Sequence, residues 1–117
     1  MLQAEQIRDM ALTALEDLKA ANITVLDVRN MTSITDYMIV ASASSNRHLK
    51  ALTDAVVEKS KQAGHRPLGV EGELTGEWSV VDLGDVVVHV MMPQIRDFYQ
   101  LEKLWRVDPV SSAEQDG

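Results

Sequence analysis

Carboxylates, serine hydroxyls and imidazoles are the groups in this sequence that could carry chemistry, since it has no cysteine to serve as nucleophile, thiolate ligand or disulfide partner. Asp82 and Asp85 flank a short turn, and Asp36, near the start of an expected strand, is placed to approach them. Three carboxylates suggest a hard cation, which prefers oxygen ligands. With Ser44 and Ser45 ahead of an expected helix, they define one reading: a small magnesium-dependent nucleotidyl- or phosphoryl-transfer enzyme. That chemistry needs a Gly-Ser turn to hold phosphate and two carboxylates two residues apart on a neighbouring strand to carry magnesium. Here the turn reads Ala41-Ser42-Ala43-Ser44-Ser45, and no Asp-x-Asp or Asp-x-Glu pair falls on an expected strand. Aspartates beside turns more often cap backbone amides. No metal, cofactor or catalytic residue is therefore expected.

The imidazoles point the same way. His89 interrupts an apolar strand, where a neutral ring can pack while one nitrogen finds a partner. No serine or carboxylate stands at a spacing that would make it a general base. His48, with Arg47 beside it near a helix start, suits a surface or dimer contact, as do Asp36 and Tyr37. Arg96, Tyr99 and Glu102 share one side of an expected last helix and could tie it to the sheet edge or to a second copy.

The elements that must position these groups follow from periodicity. Ile7, Ala11, Ala14, Leu15 and Leu18 recur at helical spacing within residues 4–21. Residues 23–28 and 35–41 read as strands. Ser44, Ser45 and Asn46 offer N-cap oxygens to a helix striped by Leu49, Leu52, Val56 and Val57 and stopped at Gly64. A short strand over 65–70 and a loop over 71–77 precede two strands, 78–83 and 86–92, folded about Leu83-Gly84-Asp85 as a hairpin. Pro93 can open the last helix, with Ile95, Phe98, Leu101 and Trp105 on one side. The fold expected is α/β, a single mixed sheet of about five strands with three helices, forming one domain over 1–107 and a flexible tail over 108–117.

Alternation puts Trp78, Val80 and Asp82 on one face of the hairpin and Ser79, Val81 and Leu83 on the other, while Val86, Val88, Val90 and Met92 oppose Val87, His89 and Met91. Trp78 is then either a core aromatic between two covered faces, or the centre of a protein-binding patch rimmed by aspartates. With 117 residues, one domain is all the chain can build. A net charge of −7 opposes a phosphate backbone and favours a basic protein partner over direct nucleic-acid contact. The first residues lack a signal peptide's basic flank and apolar run, and no stretch has membrane-spanning length, so a cytoplasmic protein is expected.

Three blocks resemble the Iojap family of ribosome-silencing factors. They are Thr35-Asp36-Tyr37-Met38-Ile39-Val40-Ala41 with Ser45-Asn46-Arg47-His48; Glu71-Gly72 with the run from Trp78 to Val90; and Arg96-Asp97-Phe98-Tyr99-Gln100-Leu101-Glu102-Lys103-Leu104-Trp105. Ala43 stands where the family commonly has Gly, which limits positive φ at that turn. The resemblance implies a nucleotidyltransferase-like fold without the catalytic carboxylates, a homodimer when free, and no reaction catalysed. It also implies binding to the large ribosomal subunit through its protein L-fourteen, which blocks joining of the small subunit and represses translation when nutrients are scarce. With that implication the patch reading of the hairpin is favoured, and the expected partner-binding residues are Trp78, Val80, Asp82, Gly84, Asp85, His89 and Met91.

Overall fold

A computed structural model describes residues 2–72 and 77–95 of the chain. Helix α1 spans Ala4–Asp17 and is followed by strands β1, Ala21–Asp27, and β2, Tyr37–Ser42. Helix α2, Asn46–Gln62, leads to β3, Gly69–Glu71, β4, Trp78–Asp82, and β5, Val86–Met91. The five strands form one sheet in the order β1-β2-β5-β4-β3, parallel only between β2 and β5. The expected α/β class and mixed five-stranded sheet are thus observed. Pro93, Gln94 and Ile95 are helical and open the third helix where expected. Its later residues, including Arg96, Tyr99, Glu102 and Trp105, and the tail lie outside the described residues.

Both long helices end in the same backbone motif with different residues. In α2, Gly64 takes φ +81°, its N–H bonds to Lys61 O at 3.0 Å, and His65 N–H reaches Ser60 O at 2.9 Å. This double bond closes the last turn, and the left-handed residue is usually glycine. In α1 the left-handed position is Lys19, φ +62°, with Lys19 N–H on Glu16 O and Ala20 N–H on Leu15 O, each at 3.0 Å. The helix therefore stops four residues short of the expected 21, at a place without a glycine signal. The chain enters β1 directly, and Asn22 at φ +49° accompanies the register shift between Ala21 and Thr24. Ala43 is not among the positive-φ residues; it is buried, and its N–H donates to Met91 O at 2.9 Å.

Helices α1 and α2 pack on one face of the sheet, burying Ile7, Ala11 and Leu15 with Leu49, Leu52 and Val56 against Ile39, Ala41, Val81, Val88 and Val90. This apolar layer contains a buried polar pair, Thr53 and Ser79. Thr53 Oγ1 donates to Leu49 O at 2.8 Å, so the 2.6 Å contact to Ser79 Oγ has the serine as donor. Both side chains are fully buried, and the pair links α2 to β4 beside Trp78. A buried donor without its acceptor costs about 1–3 kcal/mol, whereas removing both partners is close to neutral. Thr53→Val should lower unfolding free energy by about that amount, and adding Ser79→Ala should restore most of it. Urea unfolding of the two variants decides; additive losses would show that the hydroxyls act independently.

Candidate functional site: the outer face of the β4–β5 hairpin

The hairpin forms as the sequence predicts, with Gly84 at φ +89° and Asp82 Oδ1 accepting from Gly84 N–H at 2.9 Å. Asp82 is a turn cap. Cross-strand partners point to the same face, so the register Trp78↔Met91, Val80↔His89 and Asp82↔Val87 gathers these six side chains on the face opposite α1 and α2. Glu71, paired with Val80, joins them from β3.

This face is only partly open. Trp78, Val80, Asp82, Val87 and His89 are half-buried, Gly84 likewise, and Asp85 is exposed. Met91 has no exposed surface and belongs to a second cluster with Leu26, Val28, Met38 and Val40, against which Trp78 and Ile95 pack. Expecting Met91 at an open patch needs correcting. Its alternation is right, but β1 and β2 supply apolar neighbours that the hairpin alone does not reveal. The Trp78 expectation resolves between its two readings: the side chain packs against that cluster and is still only half-buried.

Trp78 and His89 form a coupled pair. The indole Nε1–H donates to His89 Nδ1 at 3.1 Å, and the rings are tilted by 43° with centroids 6.1 Å apart. An Nδ1 that accepts must carry a lone pair, so the imidazole is neutral with its proton on Nε2. Burial favours the same state, pushing the His89 pKa down from 6.5 to about 4.

Tyr37, His48 and Asp36 have partners within the chain. Tyr37 is buried, its hydroxyl donates to Glu5 Oε2 at 3.2 Å, and the guanidinium carbons of Arg8 and Arg29 both lie over its ring, 4.9 and 5.2 Å from the centroid. Arg29 forks onto Asp27 at 2.9 and 2.6 Å, holding the carboxyl below its usual range. His48 Nδ1 accepts from Ser44 N–H at 2.9 Å, which leaves Nε2–H to donate to Leu18 O at 2.7 Å. The ring thereby ties the start of α2 to the end of α1. Arg47 is exposed. Asp36 is half-buried, and its N–H and that of Tyr37 both donate to Asp85 O, at 2.9 and 3.1 Å.

The phosphoryl-transfer constellation does not assemble. Asp36 precedes β2 and, with Asp82 and Asp85, lies at the end where β2 begins; Ser44 and Ser45 follow its other end. Six extended residues separate the two groups by roughly 20 Å. Ser45 Oγ is the N-cap of α2, accepting from His48 N–H at 3.0 Å. Among the described residues no cluster of three or more His, Asp or Glu is arranged to hold a metal.

The neutral His89 gives the fold a pH dependence. Its folded pKa lies below its unfolded one, so the unfolded chain binds the proton first as pH falls. Stability from this group is essentially complete well above pH 6.5 and is lost as pH falls from 6.5 to about 4, by roughly 3–3.5 kcal/mol at most. His89→Gln should flatten unfolding free energy between pH 6.5 and 5 relative to the parent. Denaturant titrations at each pH test this; equal slopes would show that His89 does not supply the dependence.

The family model described as "Ribosomal silencing factor during starvation" matches residues 2–116. A protein of Chromobacterium violaceum named Ribosomal silencing factor RsfS is 48% identical over 104 residues, covering 89% of this chain and 85% of that one. A crystal structure from the same organism, also 48% identical, superposes with a TM-score of 0.87 over 89% of this chain and 87% of its own. The mouse protein named Mitochondrial assembly of ribosomal large subunit protein 1 is 36% identical over 100 residues, which span 83% of this chain and 44% of that protein. A match across nearly the whole sequence, joined to a shared sheet and helix layout, places this chain in the ribosomal silencing factor family, a family of ribosome-associated regulators and not of enzymes.

Proposed function

We propose that this chain silences ribosomes by docking the outer face of its β4–β5 hairpin on the large ribosomal subunit, at protein L-fourteen, and so sterically preventing the small subunit from joining. The observation that carries the choice of face is its asymmetry. Among the described residues α1 and α2 cover one side of β4 and β5, and on the other, where Ile95 packs beside Met91, Trp78, Val80, Val87 and His89 are only half-buried beside Asp82 and Asp85. A half-open aromatic and aliphatic centre with acidic residues at its edge suits a basic protein partner. The net charge of −7 favours such a partner, and the mouse relative's name refers to the large subunit. Met91 supports the face from beneath. No catalytic step is involved, and the protein acts in the compartment that holds its ribosomes, the cytoplasm. The free chain is proposed to be a homodimer, with Arg47 among the exposed residues available to the second copy.

Two substitutions test the face. Trp78→Ala removes the largest half-buried side chain among the described residues of the face, and truncating a central interface aromatic typically costs about 2 kcal/mol or more, roughly a thirtyfold loss of affinity. Asp82→Arg reverses charge at the rim and should slow association with a basic surface. Both variants should lose co-sedimentation with purified large subunits while retaining the parent's circular dichroism. Undiminished binding by both would place the contact elsewhere.

A further inference from the structure

An open cavity of about 260 Å³ lies against Trp78, lined by Glu71, Gly72, Trp78 and Val80. Sites for drug-sized ligands run from roughly 300 to 1,000 Å³, so this one is matched to a single large side chain. Its shape depends on Gly72. That residue has φ +86°, and a Cβ there would collide with the backbone carbonyl oxygen of Trp78. The close approach brings the Gly72 backbone against that of Trp78. Register does the rest, because Glu71 pairs with Val80 and so shares the face of Trp78 and Val80. The cavity thus has an aromatic wall, an aliphatic floor and an exposed carboxylate at its rim. The indole N–H is directed at His89 Nδ1, which fixes the tilt of the ring.

We propose that this cavity receives an arginine side chain of the basic protein that docks on the hairpin face, its guanidinium stacked on Trp78 and hydrogen-bonded to Glu71. The proposal rests on the docking face described above and names the group that anchors it. Charge complementarity selects a cation: the chain carries −7, and the cavity's one charged lining residue among those described is an acid. Geometry selects arginine over lysine. A planar guanidinium stacks on an indole and still presents N–H groups in its plane to a carboxylate, whereas an ammonium is a compact, strongly hydrated point charge.

The test uses the intact protein, and its first arm contains no ribosome. In a Trp105→Phe background, the Trp78 indole N–H resonance is followed by NMR while N-acetyl-arginine amide is added at low ionic strength. A saturable shift in the millimolar range is expected, several-fold weaker with N-acetyl-lysine amide and lost in Glu71→Gln. An unmoved resonance, or an equal response in Glu71→Gln, overturns the arginine pocket. In the second arm, Glu71→Gln should weaken binding to purified large subunits by roughly tenfold. Glu58→Gln, the same charge change at an exposed position of α2, should have a far smaller effect. Equal losses would reduce Glu71 to a contributor of general charge and overturn the pocket. If Trp78→Ala still abolishes large-subunit binding, such a failure leaves the docking face standing; if that variant binds normally, the docking face itself is overturned.

Discussion

The parallel pairing of β2 with β5 is the constraint on which the rest of the structure depends. All six residues of β2 are buried, and the strand is bonded to β1 on one side and β5 on the other. Parallel strands cannot be joined by a tight turn and require a long crossover. Here α2 carries the chain back across the sheet, β3 and β4 enter from the far edge, and β5 returns to the centre. The register is tied at both ends. Asp36 and Tyr37 N–H groups share Asp85 O where the two strands begin, and Ala43 N–H takes Met91 O where they end. A slip of one residue would turn every side chain of β5 to the wrong face and bring His89 under the helices.

That topology decides what each face can do. Because α1 and α2 lie on the same side, neither covers the other side of β4 and β5, where Trp78, Val80, Val87 and His89 are only half-buried, and polar groups there must be neutral, hydrogen-bonded or close to solvent. Asp82 satisfies this by capping the turn at Gly84 N–H. His89 satisfies it by losing its charge and accepting the Trp78 indole proton. The bond orients both rings on neighbouring strands, so the face presents a fixed aromatic surface in place of two independent rotors. Less rotamer freedom then remains to be lost when a partner binds.

Much of this layout is legible in the amino-acid sequence, because local signals carry it. Ser45 and Gly64 bound α2 through cap chemistry, and Leu83-Gly84-Asp85 marks the hairpin through the positive φ that glycine accepts. Signals fail where the backbone departs from the usual residue choice. Lys19 occupies a left-handed helix terminus without being glycine, so apolar spacing overextends α1. The third strand, expected over 65–70, begins at Gly69, because His65 closes the end of α2 and its imidazole contacts Leu83 O at 2.7 Å. For the site, alternation assigns faces correctly but not depth. Met91 shares a face with Trp78 and is buried by Met38 and Val40, residues distant in sequence. Separation of Asp36 from Ser44 was by contrast available from sequence, since a whole strand lies between them.

Charge at the hairpin's centre and charge at its edge have different consequences for an acidic protein meeting a basic one. Exposed carboxylates such as Asp85 and Glu71 remain solvated in the free chain, so they attract a basic surface over long range at little desolvation cost. A charge at the centre would instead have to be stripped of water on contact, and that penalty can exceed the attraction gained. A cationic imidazole at position 89 would add repulsion toward a basic partner of the kind proposed. The neutral His89 avoids both costs: it contributes ring surface and a lone pair to Trp78, and leaves the electrostatics to the rim. Neutrality at the centre and acidity at the edge are therefore one arrangement, enforced by burial and by a single hydrogen bond between adjacent strands.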